Sequence, residues 1–429
     1  MKNIRKTALL SVASCSLIAG TAIAQESSNY YSRNKYEAVT DRRQPEYDPE
    51  PIRLGAFLVK SQAVAGLTYN SNVLASNSDE QSDVVAHVGV EADARTNWSV
   101  HEIGGTISAY RNEYADLGDE SANDLRGSLH GRLDVTRDFS LGGRVFAEQR
   151  VEPRTEPASS TGLKSPIEFT RTGFEGQANY YNDRVHWNNS AMVAETDYDD
   201  GTQIGTGLPV DEDFRDNQRT DLRSRLSYAV SPNLAVFGQG TISQQDYDND
   251  QVMDGALRSR DSSGYTVSGG VDFELTSLVR GDVAVGYMNE DKDDDYFKDV
   301  DGLSIDGRMQ WFPSRLTTVS FDAGRRVVDV GSFQAPTAIS TRFGARVDHE
   351  LYRNIILSGY GNVTSFDYQE IDQKDDTLDF GVSGIYKMNK RVHFEAFLRR
   401  LSRDSSGSAV TSDRNYDVNM VGVELRLHP

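Results

Sequence analysis

Cysteine, long apolar runs and helical periodicity are scarce or absent in this 429-residue chain. Its one cysteine is Cys15, so the chain beyond it has no disulfides and no thiolate metal sites. No stretch reaches the ~18 apolar residues of a membrane-spanning helix, which excludes a helical membrane protein. The chain has 45 basic and 65 acidic residues, which gives a net charge of −20. A nucleic-acid-binding protein needs a basic surface, so this charge argues against nucleic-acid binding. Aromatic residues make up 9% of the chain, which argues against disorder.

Residues 1–24 have the pattern of a secretory signal peptide. A basic start precedes an apolar stretch over residues 8–19, and Ala22-Ile23-Ala24 matches the small-residue pattern of a cleavage site. We therefore expect cleavage after Ala24 and export of the remaining chain to the cell outer membrane.

Two further regions follow the signal. Residues 25–52 are polar and rich in tyrosine and proline, and we expect an extended periplasmic N-terminal segment. Residues 53–429 alternate between apolar and polar positions with a period of two, which predicts strands with one apolar face and one polar face. The clearest apolar series is Leu125, Gly127, Leu129, Gly131, Leu133 and Val135.

The strands number about 18, and short turns alternate with longer polar connections. This arrangement predicts an all-β fold, a transmembrane antiparallel up-and-down β-barrel. A soluble sandwich or solenoid also alternates, but strands of about 10–13 residues fit a tilted bilayer crossing better. Trp98, Trp187 and Trp311 lie beside short turns, as in an aromatic girdle. The residues expected to form the other girdle are Tyr69, Tyr110, Phe169, Tyr198, Tyr287 and Phe366.

The polar positions of these strands would line the lumen. The predicted pore-lining residues are Arg126, Arg132, Arg144, Arg150, Arg171, Arg219, Arg223, Arg225, Arg308, Arg342, Arg346, Arg399, Glu148, Glu175, Asp221, Asp306 and Asp322. Arginine and carboxylate groups on one wall can pair and simply stiffen the barrel. They can also form a charged constriction, for which Arg219, Arg223 and Arg225 are the best candidates.

Metal and catalytic sites are not predicted. Asp246, Asp248 and Asp250 have the first spacings of a calcium loop, but Gln251 and Leu257 occupy positions that need Gly and Glu. The histidines lack zinc spacing, and no nucleophile elbow or phosphate-binding loop is present. We therefore expect neither enzymatic activity nor a cofactor.

The N-terminal part resembles the β-barrel porin 2 family. The matching residues are Val39, Thr40, Asp41, Arg42, Pro45, Glu46, Tyr47, Asp48, Pro49, Arg53, Leu54, Gly55, Phe57, Tyr69, Asn70, Ser71, Asn72, Val73, Trp98, Ser99, His101 and Tyr110. The resemblance implies an outer-membrane barrel of Gram-negative bacteria, and it implies a link to capsule or exopolysaccharide export for some members.

The first hypothesis for function is therefore a porin-like barrel that contributes to export of exopolysaccharide across the outer membrane. The alternatives are a general diffusion porin for small hydrophilic solutes and a plugged structural or assembly barrel. Expected partners are outer-membrane lipid and lipopolysaccharide, the barrel-insertion machinery and, from the resemblance, polysaccharide and export-complex proteins. Nucleic acid is not expected.

Overall fold

The computed structural model describes residues 37–159, 162–276, 278–331, 335–410 and 415–429. Eighteen long strands form one sheet, as the sequence predicts. They are β1 (Phe57–Asn70), β2 (Asp83–Thr96), β3 (Glu102–Tyr114), β4 (Ala122–Asp134), β5 (Phe139–Val151), β6 (Glu168–Tyr181), β7 (Val185–Tyr198), β8 (Asn217–Ser231), β9 (Leu234–Tyr247), β10 (Ser262–Leu275), β11 (Val279–Lys292), β12 (Val300–Ser314), β13 (Thr317–Asp329), β14 (Thr337–Tyr352), β15 (Ile355–Tyr368), β16 (Lys374–Lys387), β17 (Val392–Ser406) and β18 (Tyr416–Leu427).

The sheet closes on itself. Each strand pairs antiparallel with its neighbours in sequence, and β18 returns to β1 through pairs that run from Met420↔Asn70 to Leu427↔Ala63. Closure removes the free sheet edges that a bilayer would leave without hydrogen-bond partners. The predicted fold class, an up-and-down barrel of 18 strands, is confirmed.

Shorter elements decorate the barrel ends. A short strand at Ile52–Leu54 pairs with the beginning of β1. Two small hairpins join Gly201–Thr202 to Pro209–Val210 and Gln251–Met253 to Ala256–Arg258. Two 3-10 turns occupy Gly118–Glu120 and Asp213–Arg215. Within the described residues, no helix has the length and hydropathy needed to cross a membrane.

The apolar positions of each strand point outward. On β4, Leu125, Leu129 and Leu133 are exposed, and Leu129 keeps 67% of its surface accessible. The interleaved residues of the same strand include Arg126 and His130, which face the barrel interior because neighbouring strand residues point to opposite sides. Apolar residues on the outside and polar residues on the inside are typical of a barrel whose outer surface contacts lipid.

Aromatic residues mark both rims, although part of the predicted second girdle is wrong. Trp98, Trp187 and Trp311 are exposed beside short turns, and Tyr69 and Tyr287 are exposed at the opposite rim. Phe169, Tyr198 and Phe366 are buried, and Tyr110 binds the inward-facing Glu91. These four aromatic residues do lie near the long loops, as predicted. Their positions in the period-two pattern, however, place their side chains on the inner face of the barrel.

Candidate functional site

Charged side chains line the barrel interior, because they occupy the strand positions that alternate with the apolar ones. The predicted pore-lining arginines and carboxylates all occupy strand positions opposite in parity to the exposed apolar residues. Their common inward face follows from the register, since directly paired residues of adjacent strands point to the same side. Examples are Arg144↔Glu175 and Glu148↔Arg171 between β5 and β6.

One sector of the wall is a paired network. The Arg399 guanidinium lies 2.9 Å from Asp379, and Arg426 lies 2.7 Å from Glu395. On β14, Arg346 lies 2.9 Å from Asp348. Because each of these arginines has a carboxylate partner, this sector fits the structural interpretation, in which ion pairs stiffen the wall.

The positive charge of the predicted constriction on β8 is only partly balanced by nearby carboxylates. Arg219 lies 3.0 Å from Asp221, and Arg225 lies 3.8 Å from Asp282 on β11. The Arg225 guanidinium also stacks over the Phe237 ring, 3.5 Å from its centroid. Arg225 is therefore held as part of the wall. The structure keeps Arg219, Arg223 and Arg225 on one inner face, but it gives them different surroundings.

Arg223 of the same strand has an amide partner. Its Nη2 donates a hydrogen bond of 2.6 Å to Oε1 of Gln239. The Arg308 guanidinium, which is close enough to affect Arg223 electrostatically, lies 3.2 Å from Asp282. Strands β8, β11 and β12 therefore meet through charged groups inside the barrel.

A second set of arginines has no carboxylate partner. Within the described parts of the chain, no carboxylate oxygen lies within 4.0 Å of the guanidinium nitrogens of Arg126, Arg144, Arg171 or Arg326. Arg144 and Arg171 lie on either side of the Phe146 ring, 5.2 and 5.9 Å from its centroid. We call these four residues the open arginines. None of the four is held in an ion pair, although Glu148 occupies the directly paired position on the neighbouring strand for both Arg126 and Arg171.

Sequence reasoning missed Arg326, although the signal was present. Arg326 shares strand parity with Asp322, and it pairs directly with Ser340 on β14. Its charge interacts with those of Arg342 on β14 and Arg219 on β8. The sequence shows Arg325 and Arg326 together, and only the period of two tells which of them faces inward.

The mouth at the long-loop end, which in outer-membrane barrels is the extracellular one, is covered by the connection between β5 and β6. From this connection, the Thr155 carbonyl accepts a hydrogen bond of 2.9 Å from the Tyr416 hydroxyl at the start of β18. Ala158 reaches the turn between β13 and β14, where a Cβ added to Gly331 would lie 2.8 Å from the Ala158 Cβ. Since β5 and β13 lie on opposite sides of an 18-stranded barrel, residues 152–159 cross the opening.

A buried ionic cluster fastens this cover. Arg215 lies 2.5 Å from Glu152 and 3.2 Å from Glu212, and Arg260 lies 3.2 Å from Asp329. We call these five residues the mouth cluster. They join four different connections or strand ends, so the extracellular loops are linked to one another inside the barrel.

The environment of the mouth cluster shifts the pKa values of its loop arginines. Burial acts to lower the pKa of Arg215, but the Glu152 carboxylate outweighs burial and raises the pKa above its usual value. Burial lowers the pKa of Arg260 to about 9, and the neighbouring Arg215 charge acts in the same direction. Both guanidinium groups are therefore charged at neutral pH, and Arg260 releases its proton at a lower pH than Arg215 does.

Glu156 in the same cover is a buried carboxyl group with a raised pKa. Burial raises the pKa of Glu156 to about 7, and the Glu152 carboxylate adds to the rise. The positive charges of Arg150, Arg403 and Arg399 act in the opposite direction without cancelling it. The Glu156 side chain therefore changes its charge near neutral pH while the cover is in place.

The mouth at the short-turn end, which in outer-membrane barrels is the periplasmic one, holds the end of the N-terminal segment. The backbone N–H of Val39 donates a hydrogen bond of 3.0 Å to the Thr318 hydroxyl, and Arg42 lies 2.7 Å from Glu350. Lys387 donates a hydrogen bond of 3.0 Å to Asp48. Residues 38–50 thus fold against the inner faces of the wall strands. The predicted signal peptide and the rest of the N-terminal segment lie outside the described residues.

The acidic loops bring one group of carboxylates together. Ligand atoms of Asp200, Asp211 and Asp213 lie within 4.8 Å of one another, and all three residues are exposed. They belong to the connection between β7 and β8, whereas the rejected calcium loop of the sequence begins at the end of β9 and continues into the connection between β9 and β10. The group resembles many exposed acidic clusters that hold no ion.

Several solved structures are distantly similar to this chain. The chain is similar to solved structures of the copper transporter OprC (12% identity, 89% of this chain and 81% of that chain, TM-score 0.45) and of OccK1 (OpdK) from Pseudomonas aeruginosa (9% identity, 86% and 99%, TM-score 0.47). It is also similar to the siderophore receptor PirA from Pseudomonas aeruginosa (8% identity, 90% and 81%, TM-score 0.41). None of the curated proteins searched matches the sequence.

The family comparison covers most of the chain. The family model described as "Putative beta-barrel porin 2" matches residues 44–428, which include every strand of the barrel. The resemblance noted in the N-terminal residues therefore extends over the whole barrel. The chain belongs to this family and is a porin-like outer-membrane β-barrel.

Proposed function

We propose that the protein is a channel for small hydrophilic solutes that favours anions. The single observation that carries this proposal is the set of open arginines, Arg126, Arg144, Arg171 and Arg326, on the inner wall. The barrel and its family support transport through a channel rather than enzymatic chemistry. The solute class comes from the charge of the wall.

The physical argument compares paired and open guanidinium groups. A guanidinium that lies against a carboxylate presents little net charge to a passing ion. An open guanidinium attracts an anion at ~5 Å by about 1 kcal/mol in water, and by more where the lumen is narrow and less polar. Several such groups along one path therefore raise the local concentration of anions and lower that of cations.

Export of exopolysaccharide is the second candidate, and it is supported by the family resemblance alone. An anionic polymer could use the same arginines, but it would have to displace both the extracellular cover and residues 38–50 along its whole passage. Loss of surface polymer in a deletion strain, with uptake of small solutes unchanged, would favour export. A complete lack of conductance in planar bilayers would favour the third candidate, a plugged structural barrel.

The charge of the open arginines can be tested by the reversal potential in a KCl gradient. Neutralising Arg326 in R326Q should lower the chloride-to-potassium permeability ratio by about 2- to 4-fold, the size expected for one charge a few Å from the path. The matched control is R325Q. Arg325 is adjacent in sequence but shares the outward face of Phe343, and it donates a hydrogen bond of 2.8 Å to Thr341.

The quadruple variant R126Q/R144Q/R171Q/R326Q should lose most of the anion preference. Equal reversal potentials for R325Q and R326Q, together with an unchanged preference in the quadruple variant, would reject the proposal. The barrel fold of each variant can be verified by its heat-dependent mobility on a gel.

A further inference from the structure

The ladder between β12 and β13 ends before either strand does. Its last pair is Ile305↔Arg325, although β12 extends to Val300 and β13 continues to Asp329. Along this stretch β12 stays paired with β11, and β13 stays paired with β14. Arg326 is therefore the first residue of a strand end that, within the described residues, no ladder pair joins to β12.

The end of β13 lies inside the barrel. Val327 shares a strand face with Phe343 of β14, whose side chain is 54% exposed on the outer surface. Val327 nevertheless packs with Ile339 against Met288 and Val300, which occupy inward-facing positions of β11 and β12. Because the outer side of the strand end contacts the inner side of the wall, the last residues of β13 extend into the lumen.

Hydrogen bonds connect this strand end to the wall formed by β8 and β9. Nε2 of Gln245 on β9 donates a hydrogen bond of 3.5 Å to the Asp329 carboxylate. Oε1 of Gln245 accepts one of 3.3 Å from Nη1 of Arg219 on β8. Three strands separate β9 from β13 along the wall, so these bonds cross part of the lumen and the passage beside them is narrower than the barrel.

Three arginines face this narrow passage. Arg326 pairs directly with Ser340 of β14, and Arg342 lies two residues further along that strand on the same inner face. Both arginines are exposed. Arg326 is close enough to interact electrostatically with both Arg219 and Arg342. We call Arg219, Arg326 and Arg342 the arginine triad.

The two outer members of the triad are anchored to the wall. Nε of Arg219 lies 3.0 Å from Asp221 on the same strand. Nε of Arg342 lies 3.2 Å from Asp322 on β13. These ion pairs fix the positions of two guanidinium groups on opposite sides of Arg326.

Arg326, the central member, has no such partner. No carboxylate oxygen in the described parts of the chain lies within 4.0 Å of its guanidinium nitrogens, and Asp306 acts on its charge only over a longer distance. A guanidinium carries five N–H donors. Since the Arg326 side chain is also exposed, these donors are available to a solute in the passage.

We propose that the arginine triad is a binding site for small tetrahedral oxyanions such as inorganic phosphate. The planar fork of one guanidinium matches two oxygens of such an anion, and a tetrahedral anion has further oxygens for the other two arginines. Chloride lacks this set of directed acceptors. The site rests on the proposed function, because it lies in the same anion path, and it adds the kind of anion that the path retains.

The site predicts that phosphate blocks the chloride current. Inorganic phosphate, added at constant ionic strength to wild-type channels in planar bilayers, should reduce the current saturably, with half-block at millimolar concentration. R326Q should weaken this block about tenfold, since it removes the guanidinium whose donors are available. R325Q is the matched control and should leave the block unchanged, because Arg325 faces outward and donates a hydrogen bond to Thr341.

A second variant separates the guanidinium fork from the charge of the wall. R342Q/D322N removes one guanidinium together with its carboxylate partner, so the net charge of the wall stays the same. This variant should weaken the phosphate block about threefold. A wild-type block that does not saturate, an equal block in R326Q and the wild type, or an unchanged block in folded R342Q/D322N would each overturn the site.

Failure of the site and failure of the proposed function give different results. Anion preference in KCl without phosphate block would reject the site alone. A block that R326Q weakens, in a channel without anion preference, would reject the proposed preference and support the site. Calorimetric titration of the purified barrel in detergent with inorganic phosphate needs no conductance, and an affinity that R326Q leaves unchanged, or no binding at all, would also reject the site.

Discussion

Replacing Glu156 by Gln is expected to make the closure of the extracellular mouth independent of pH. Glu156 lies in the cover two residues from Ala158, the residue that approaches Gly331 after β13. Burial raises its pKa from 4.5 to about 7, with Glu152 adding to the rise and Arg150, Arg403 and Arg399 opposing it. The closed cover therefore binds a proton that a solvated Glu156 would release.

The sign and the size of the effect follow from this difference in proton affinity. A raised pKa in the closed arrangement means that closure is favoured at low pH and that this advantage disappears as the pH rises through about 7. With an open-state pKa near the ordinary value, closure at pH 5.5 should be favoured over closure at pH 8 by about 2 kcal/mol, or ~30-fold in the equilibrium.

The assay is the open fraction of single channels in planar bilayers between pH 5.5 and pH 8. The wild type should open more often as the pH rises, and E156Q should remain as closed at pH 8 as the wild type is at pH 5.5. E113Q is the control, because Glu113 is exposed at the rim beside Arg111. A wild type that closes as the pH rises, or an E156Q variant with the pH response of the wild type, would refute the reasoning.

Three other outcomes are expected. Deletion of residues 37–50 should raise single-channel conductance, because this segment lies in the periplasmic mouth, and an unchanged conductance would contradict that role. D375N leaves the buried Arg403 without its carboxylate and should destabilise the barrel by about 3–5 kcal/mol, measured as a lower midpoint of urea unfolding, while D376N on the exposed face should change it little. F343R places a charge on the lipid face and should cost about 2–4 kcal/mol in the same unfolding measurement in lipid vesicles, and an unchanged midpoint would place Phe343 away from lipid.

Much of the fold could be read from local patterns. The alternation around Leu129 predicts a two-faced strand, and the long strands with alternating short and long connections predict the barrel. The girdle of Trp98, Trp187 and Trp311 followed because each residue lies beside a turn. The predicted positions of Phe169 and Phe366 failed, since distance from a turn sets height in the membrane but not the face of the strand.

The candidate site was only partly predictable. Inward positions such as Arg171 and Arg399 come from strand parity, so the list of wall charges could be written from the sequence. Whether an arginine is paired depends on strands far away in the chain, as for Arg225 with Asp282 on β11. The sequence could not distinguish the paired arginines from the open ones, because that distinction depends on distances across the barrel.

The sequence by itself determined that the chain is a barrel with its apolar face outward, because a period of two and the spacing of turns are local properties. The tertiary structure alone decided that residues 152–159 cross the mouth, that residues 38–50 fold into the other end, and that the β12–β13 ladder stops at Ile305. These features arise where segments from different sides of the closed wall meet. No local pattern encodes such meetings, because they depend on the closure of the barrel and on the competition between ladder hydrogen bonds and the packing inside it.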